Sequence, residues 1–103
     1  MPRSLGNTSL LILAAAGRQG SYGLDIVAQT GLPSGTVYPT LARLKEAGLL
    51  RAVWEDARVA ERAGRPRRRY HQLTALGAAA LAEGTRRLRT TAFSLGSLAE
   101  GRS

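Results

Sequence analysis

Two short helical segments of this 103-residue chain are separated by only three residues, Gly31-Leu32-Pro33. The second segment places Val37, Leu41 and Leu44 at the spacing of one helix face. A three-residue turn that contains glycine is the connection typical of a helix-turn-helix pair. At 103 residues the chain has the size of one domain, so we expect a single core packed around this pair.

The residues on either side of this pair predict a winged form of the fold. A run of apolar residues at 10–16 predicts a buried first helix, which is too short to cross a membrane. After the third helix, residues 50–55 and 68–73 show the two-residue period of half-buried strands. The polar residues between them, at 56–67, predict a long hairpin loop with a mobile basic tip. We therefore predict an α+β, mainly α fold: a winged helix-turn-helix of three helices and a two-stranded wing.

Polar side chains and glycines mark the expected helix boundaries. Asn7 or Thr8 is the predicted N-cap of the first helix, and Ser21 and Ser34 are the predicted N-caps of the second and third. Gly48 is expected to end the third helix, because glycine adopts the left-handed conformation that follows many helices.

The charge of the chain favours a polyanionic partner. Lys and Arg number 15 against seven Asp and Glu, a formal net charge of +8, and seven of these basic residues lie at 51–69. Cations next to phosphates gain affinity by releasing condensed counterions. The chain has no cysteine and a single histidine, His71, so thiolate or multi-histidine metal sites cannot form within it. We expect no catalytic residue, no metal and no cofactor.

The outer face of the third helix has the shape expected of a helix that enters the major groove. Its centre is small, and hydrogen-bonding groups stand at both edges. The residues of this face are Gly35, Thr36, Tyr38, Pro39, Ala42, Arg43, Lys45 and Glu46. A polar face is equally expected of any surface helix. Pro39 would destabilise a regular helix interior by about 3 kcal/mol. A residue so unfavourable to the local structure indicates a functional role. The alternative is that the regular helix begins near Tyr38, where proline is tolerated.

Four ordered motifs resemble those of PadR-like transcriptional regulators. They are Tyr22-Gly23, the stretch Gly35-Thr36-Val37-Tyr38-Pro39 with Glu46-Ala47-Gly48-Leu49-Leu50, the basic turn from Gly64 to Tyr70, and Leu73-Thr74 followed by Gly77. The resemblance covers residues 10–81. It implies a homodimeric winged-helix repressor that binds a palindromic operator and is often released by a small aromatic effector. Residues 54–69 depart from the family's usual short wing, since they form a longer and more arginine-rich segment.

The residues expected to contact DNA come from the second helix, the third helix and the wing. They are Ser21, Tyr22, Ser34, Gly35, Thr36, Tyr38, Pro39, Arg43, Lys45, Arg65, Arg67 and Arg68. The arginines are assigned to phosphates or to a narrow minor groove. Alternatively, the wing is a solvated loop without ordered contacts, and Tyr22 packs against the first helix.

A leucine stripe marks the last helix, which Thr74 is expected to cap and which spans residues 75–98. Leu81, Leu88 and Leu95 repeat every seven residues, with Ala92 on the same side. Such a stripe predicts a two-fold dimer, and packing against the helix's own domain is the alternative. The predicted domains are residues 1–74 for DNA binding and 75–98 for dimerisation, with a flexible tail at 99–103.

These observations favour a cytoplasmic, nucleoid-associated, homodimeric regulator whose partners are double-stranded DNA and a second copy of the chain, with no membrane. The resemblance implies a small aromatic effector as a further partner. Trp54 either fills the core or lines an effector cavity at the dimer interface. Two other functions stay open. One is an architectural or RNA-binding winged-helix protein without base readout, and the other is an interaction module whose last helix docks on a foreign protein.

Overall fold

The computed structural model describes residues 5–18 and 21–100. The elements in chain order are α1 (Asn7–Ala16), α2 (Gly23–Thr30), α3 (Ser34–Glu46), β1 (Leu50–Trp54), α4 (Ala57–Arg62), β2 (Arg69–Leu73) and α5 (Ala75–Glu100). β1 and β2 form an antiparallel sheet with Leu50 opposite Leu73 and Trp54 opposite Arg69. The predicted winged helix-turn-helix with a long last helix is confirmed. No helix of the described ranges has both the length and the apolar character needed to cross a membrane.

The core lies where the first three helices meet. Ile12 and Leu13 of α1, Ile26 of α2 and Val37 of α3 are fully buried there. Leu50 at the start of β1 closes one side of this cluster. Because the buried side chains are aliphatic and few, the core is small, as expected for a chain of this length.

Glycines in the left-handed conformation end α2 and α3. Gly31 has φ +70° and donates its N–H to the Val27 carbonyl, which stops α2 before the turn. Gly48 has φ +78° and donates to Lys45, while Leu49 donates to Leu44, the paired pattern of a Schellman motif. The short turn and the end of α3 therefore follow from local backbone chemistry.

The helix N-termini differ from the predictions. Gly6, Tyr22 and Pro33 occupy the N-cap positions of α1, α2 and α3, and none of them caps with its side chain. Asn7, Thr8 and Ser34 instead lie within the first helical turns, so each predicted cap is wrong by one or two residues.

Ser21, the predicted N-cap of α2, has a different structural role. Its side chain is completely buried, and its hydroxyl donates to the carbonyls of Ala15 at 2.6 Å and Arg18 at 3.0 Å. The hydroxyl therefore closes the end of α1, because a buried hydroxyl needs an acceptor. The backbone carbonyl of Ser21 accepts from His71, and Tyr22 forms a bridge with Tyr70, so this segment extends the sheet.

The wing contains a short helix where a mobile loop was predicted. Asp56 caps α4 by accepting from the N–H of Arg58 at 2.7 Å, and Ala60 is buried beneath the helix. Gly64, at φ +68°, ends the helix with a second Schellman pattern. The predicted loop is therefore wrong for residues 57–62, although both strands lie where expected to within one residue.

The last helix has a buried base and an exposed distal half. Thr74 caps it as predicted, because its Oγ1 accepts from the Gly77 N–H at 3.0 Å and also donates to the Gly48 carbonyl at 2.6 Å. Gly84 lies against Leu10 of α1, whereas every residue from 88 to 100 is exposed. Of the predicted flexible tail, residues 99 and 100 are helical, and residues 101–103 lie outside the described part of the chain.

The closest approach of α5 to the body of the domain is at Gly77. A methyl group there would collide with the Leu49 backbone, whose carbonyl carbon would lie 2.9 Å away. We expect Gly77→Ala to lower the free energy of unfolding by about 3 kcal/mol, because the neighbouring backbone cannot move aside easily. The control is Gly96→Ala in the same helix. It has open space around it and should gain up to about 1 kcal/mol from helix propensity. Urea unfolding of both variants measures the difference, and equal effects would contradict this account of the packing.

Candidate nucleic-acid interface

The outward side of α3 carries the residues predicted to face DNA. Val37, Leu41 and Leu44 are buried beneath the helix. The predicted residues of this helix lie on its exposed or partly exposed side: Ser34, Gly35, Thr36, Tyr38, Pro39, Arg43 and Lys45. The side chain of Tyr38 is 45% exposed. The structure therefore brings these seven residues together on one surface.

Pro39 lies inside α3, five residues after its start, so the alternative in which the regular helix begins near Tyr38 is wrong. The ring removes the N–H that would reach the Gly35 carbonyl. Both residues are exposed, and the missing hydrogen bond therefore lies on the surface predicted to meet DNA.

Thr40 fixes one of the predicted contacts and was not identified from the sequence. Its buried hydroxyl donates to the Thr36 carbonyl at 2.7 Å and accepts from the Arg43 guanidinium at 3.1 Å. Arg43 is thus held at the helix surface by a side chain on the inner side. A threonine three residues before an arginine was the available signal, but the sequence alone does not show that Thr40 is buried.

A cleft of about 780 Å³ separates α3 from the wing. Tyr38 and Lys45 line it from α3, and Arg65 and Arg68 line it from the wing. His71 lines it from β2, and Tyr22 and Gly23 line it at the start of α2. The basic residues of two separate elements therefore face one concave surface.

The wing is held together by Glu55, a buried carboxylate that directly follows β1. Arg65 donates two hydrogen bonds to it, at 2.6 and 3.0 Å, and forms an ion pair with it. The Arg68 N–H donates at 3.3 Å and the Tyr70 hydroxyl at 3.2 Å. The Arg65 hydrogen bond is the main cause that lowers the pKa of Glu55 to about 2, while desolvation acts in the opposite direction.

Arg65 has a structural role in the wing that was not predicted. Its guanidinium is engaged by the Glu55 carboxylate and the Pro66 carbonyl, and the side chain is 26% exposed. The residue stabilises the wing from within, and its predicted contact with phosphate or a minor groove stays a prediction. The sequence shows Glu55 and Arg65 ten positions apart but does not show that they meet.

Three further arginines of the wing lie on aromatic rings. The guanidinium of Arg67 is 5.6 Å from the centre of the Trp54 ring, and that of Arg69 is 5.7 Å from it. Arg68 lies 4.1 Å from the centre of the Tyr22 ring. Arg67 also donates to the Glu55 carbonyl at 2.8 Å. The alternative of a solvated wing without ordered contacts is therefore wrong for the residues described.

Trp54 does not occupy the core, which was one of its two predicted places. It is 56% exposed, so it does not fill the core, and it does not line the cleft between α3 and the wing. Leu50, Ala52 and Trp54 share one face of β1, but only Leu50 is buried, since the strand runs outward from the core. The indole instead supports two arginines on the wing surface.

The two predicted contacts at the start of α2 differ in exposure. Ser21 is buried, so its side chain cannot reach a phosphate, and this prediction is wrong. Tyr22 is half-buried, with its ring edge-on to Tyr70 at 5.8 Å and Arg68 above its face.

His71 lies on the same face of β2 as Leu73, as expected. Its Nδ1 has no hydrogen-bond partner within the described residues. Burial, followed by the nearby charges of Arg69 and Lys45, lowers the pKa of His71. Within residues 5–18 and 21–100, no group of His, Asp and Glu side chains is placed to hold a metal ion.

The leucine stripe of α5 is divided between two environments. Leu81 is partly buried and packs on the core, so its prediction as an interface residue is corrected. Leu88, Ala92 and Leu95 are exposed, and the exposed side chains Phe93 and Leu98 add to the apolar surface of this half.

Helix α3, the cleft and the arginine-bearing wing together define a winged helix-turn-helix protein of the DNA-binding class. The sequence pattern of the transcriptional regulator PadR-like family matches residues 12–83. The chain belongs to this family, as its motifs indicated. Members are transcriptional regulators that bind DNA and are not enzymes.

Solved structures support the same assignment. A Streptococcus mutans protein has a TM-score of 0.79 and 28% identity, with 100% of this chain and 97% of that chain covered. A PadR family transcription regulator from Clostridium difficile has a TM-score of 0.78 and 22% identity, with coverage of 90% and 98%. The Bordetella bronchiseptica protein BpsR, whose DNA binding is regulated by 6-hydroxynicotinic acid, has a TM-score of 0.70 and 25% identity, with coverage of 91% and 67%. No curated protein matches the chain significantly.

The Glu55 hydrogen bonds predict a pH-dependent stability. The lowered pKa means that the stabilisation is fully present above the unfolded value of 4.5 and is lost as the pH falls towards about 2. Glu55→Gln should therefore be less stable than the wild type at neutral pH, and the difference should shrink between pH 4.5 and 2. Urea unfolding across this range measures it.

Glu61→Gln, at an exposed position of α4, is the matched control and should follow the wild type at every pH. A Glu55→Gln deficit that stays constant down to pH 2 would show that the carboxylate charge is not the stabilising element.

Proposed function

We propose that the chain is a cytoplasmic, homodimeric repressor that recognises a palindromic operator, with α3 of each protomer in a major groove. The single observation that carries this proposal is the position of the exposed face of α3 beside the arginines of the wing, across one cleft. A helix of this shape reads base edges, whereas cations on a neighbouring element bind phosphates of the same duplex.

The wing supports backbone binding because its arginines are already ordered. Arg67 and Arg69 rest on Trp54, and Arg67 is also hydrogen-bonded to the Glu55 carbonyl. A side chain that is already held loses less freedom when it binds a phosphate. We infer that Arg67 and Arg68 contact the DNA backbone or a narrow minor groove. Arg69 joins them in this proposal because it shares the Trp54 surface.

The first test is selection of DNA by the wild-type chain from a random duplex library, followed by footprinting on the selected sequence. A palindromic footprint with half-sites about one helical turn apart is expected. Equal affinity for selected and random duplexes would favour the architectural alternative, and a preference for structured RNA would favour the RNA-binding one. Repression is tested with the selected site placed in a reporter promoter.

Substitutions in α3 and the wing should have different effects on DNA binding. Thr36→Ala should reduce affinity for the selected sequence, by about tenfold, much more than for a scrambled duplex, because a base contact is lost. Arg67→Ala should weaken both duplexes similarly and reduce the salt dependence by about one charge. Fluorescence anisotropy at several salt concentrations measures both effects. Equal losses on both duplexes for Thr36→Ala would overturn the assignment of base readout.

The exposed distal half of α5 is proposed as the dimer interface. Leu95→Lys should shift the chain towards monomer, because it places a charge in the apolar stripe. The control is Ser97→Lys, which adds the same charge about half a turn round the helix and should leave the association unchanged. Sedimentation equilibrium at micromolar concentration measures both. A monomeric wild type would contradict the dimer and leave the docking of a foreign protein on α5 as the better explanation.

Release by a small aromatic effector is a further part of the proposal. It is supported by the similarity to BpsR, whose DNA binding a small aromatic acid regulates. Titration of 6-hydroxynicotinic acid into the complex of the chain with its selected duplex tests whether this compound lowers DNA affinity.

A further inference from the structure

The start of α2 touches the exposed face of α3 at one point, where Gly23 meets the ring of Tyr38. Gly23 is buried, and a methyl group on it would lie 2.7 Å from the Tyr38 hydroxyl oxygen and 2.8 Å from the ring carbon that bears it. All three of the atoms nearest to that methyl position belong to the Tyr38 ring.

The need for glycine at position 23 is one of space. Within residues 5–18 and 21–100, the residues with positive φ are Gly31, Gly48 and Gly64, and Gly23 has an ordinary helical conformation. Alanine would therefore fit the backbone at this position, and its methyl group would occupy only the volume that the tyrosine ring fills. The contact thus concerns the placement of Tyr38 more than the folding of α2.

The placement of Tyr38 matters because its ring is 45% exposed and belongs to the surface that carries Thr36 and Arg43. An exposed tyrosine that is free to change rotamer presents its hydroxyl at several positions and loses that freedom when it binds. The ring resting on Gly23 is confined on one side. In the proposed complex, its hydroxyl would therefore face the DNA groove from one position, above the start of α2.

We propose that Gly23 is a positioning residue for base recognition. Its lack of a side chain seats the Tyr38 ring against α2, so that discrimination between DNA sequences depends on a residue outside α3. This inference rests on the proposed function, because it requires that α3 reads bases.

The contact can be perturbed without unfolding the chain. The atoms that a methyl group would meet are the far end of an exposed side chain, which can turn aside. Alanine is also the better helix former, so the free energy of unfolding of Gly23→Ala should equal or exceed that of the wild type. A loss of DNA binding in this variant would therefore not come from a loss of structure.

The experiment is a double-mutant cycle with Gly23→Ala, Tyr38→Ala and the double variant. Affinities are measured for the duplex selected by the wild type and for a scrambled duplex. Gly23→Ala should weaken binding to the selected duplex by about two- to tenfold and leave the scrambled duplex unaffected. In the Tyr38→Ala background the same change should have no effect, because the ring it displaces is absent.

A second measurement reports the position of the ring without DNA. In nuclear magnetic resonance spectra of the free wild-type chain, the Tyr38 ring protons should show contacts to the α protons of Gly23, and the Gly23→Ala variant should lose the corresponding contacts. The proposal would be overturned if Gly23→Ala lowered DNA affinity equally with and without Tyr38, or if it lowered the affinity for both duplexes equally. Unchanged affinity despite a displaced ring would do so as well.

A refutation of the proposed function would give different results from a refutation of the role of Gly23. If the wild type selects no sequence while the ring contact to Gly23 is observed, the base readout proposed for α3 is wrong, and the positioning role falls with it. If a sequence is selected but the ring contact is missing, the function stands and only the role of Gly23 is refuted.

Discussion

The buried carboxylate of Glu55 is the interaction on which the wing depends. A charge removed from water is costly unless it is paired and hydrogen-bonded, and this one accepts from Arg65, from the Arg68 backbone and from Tyr70. Arg65 and Arg68 lie in the segment that enters β2 and Tyr70 lies in β2 itself, whereas Glu55 directly follows β1. One side chain therefore holds both sides of the wing together beyond the last strand pair. The arginines on this framework keep fixed directions because the backbone between them does not move freely.

In the proposed function, the two sides of the cleft contribute different kinds of recognition. The wing offers delocalised cations on aromatic rings, a surface that suits phosphates of any sequence. The face of α3 has a small centre at Gly35 and Pro39 and single hydrogen-bonding groups at its edges, a surface that suits particular base pairs. Neither surface alone would give both affinity and specificity. Their separation on two elements allows each to change by substitution without disturbing the other.

What the sequence predicts well is what short-range chemistry determines. The end of α2 at Gly31 and the end of α3 at Gly48 follow from glycine in the left-handed conformation, and the buried side of α3 follows from its periodicity. The face of α3 that forms half of the candidate site could therefore be predicted. The short helix α4 had local signals too, in Asp56 and Gly64, but its polar sequence lacks the apolar period by which helices are recognised.

What the sequence does not predict depends on contacts between distant residues. The alternation around Trp54 predicts one apolar face correctly, yet it does not show that β1 leaves the core after Leu50. Serine is a common N-cap residue, but the hydroxyl of Ser21 is buried and donates to the carbonyls of Ala15 and Arg18. The pairs Glu55–Arg65 and Gly23–Tyr38 likewise exist only once α2, α3 and the wing are packed together. Half of the candidate site is thus a product of tertiary structure.

The division of α5 links the small core to the proposed assembly. Its base is fixed to the domain at Gly77 and Gly84, where no side chain separates the helix from Leu49 and Leu10, so the helix direction relative to the body is set by close contact. Its distal half extends from the body as an exposed apolar surface that gains stability only when it is covered. In the proposed dimer, the rigid base would transmit the geometry of that interface to α3. The distance between the two α3 helices would then be determined by α5, a helix that touches no DNA. The spacing of the operator half-sites would therefore depend on the packing at Gly77 and Gly84.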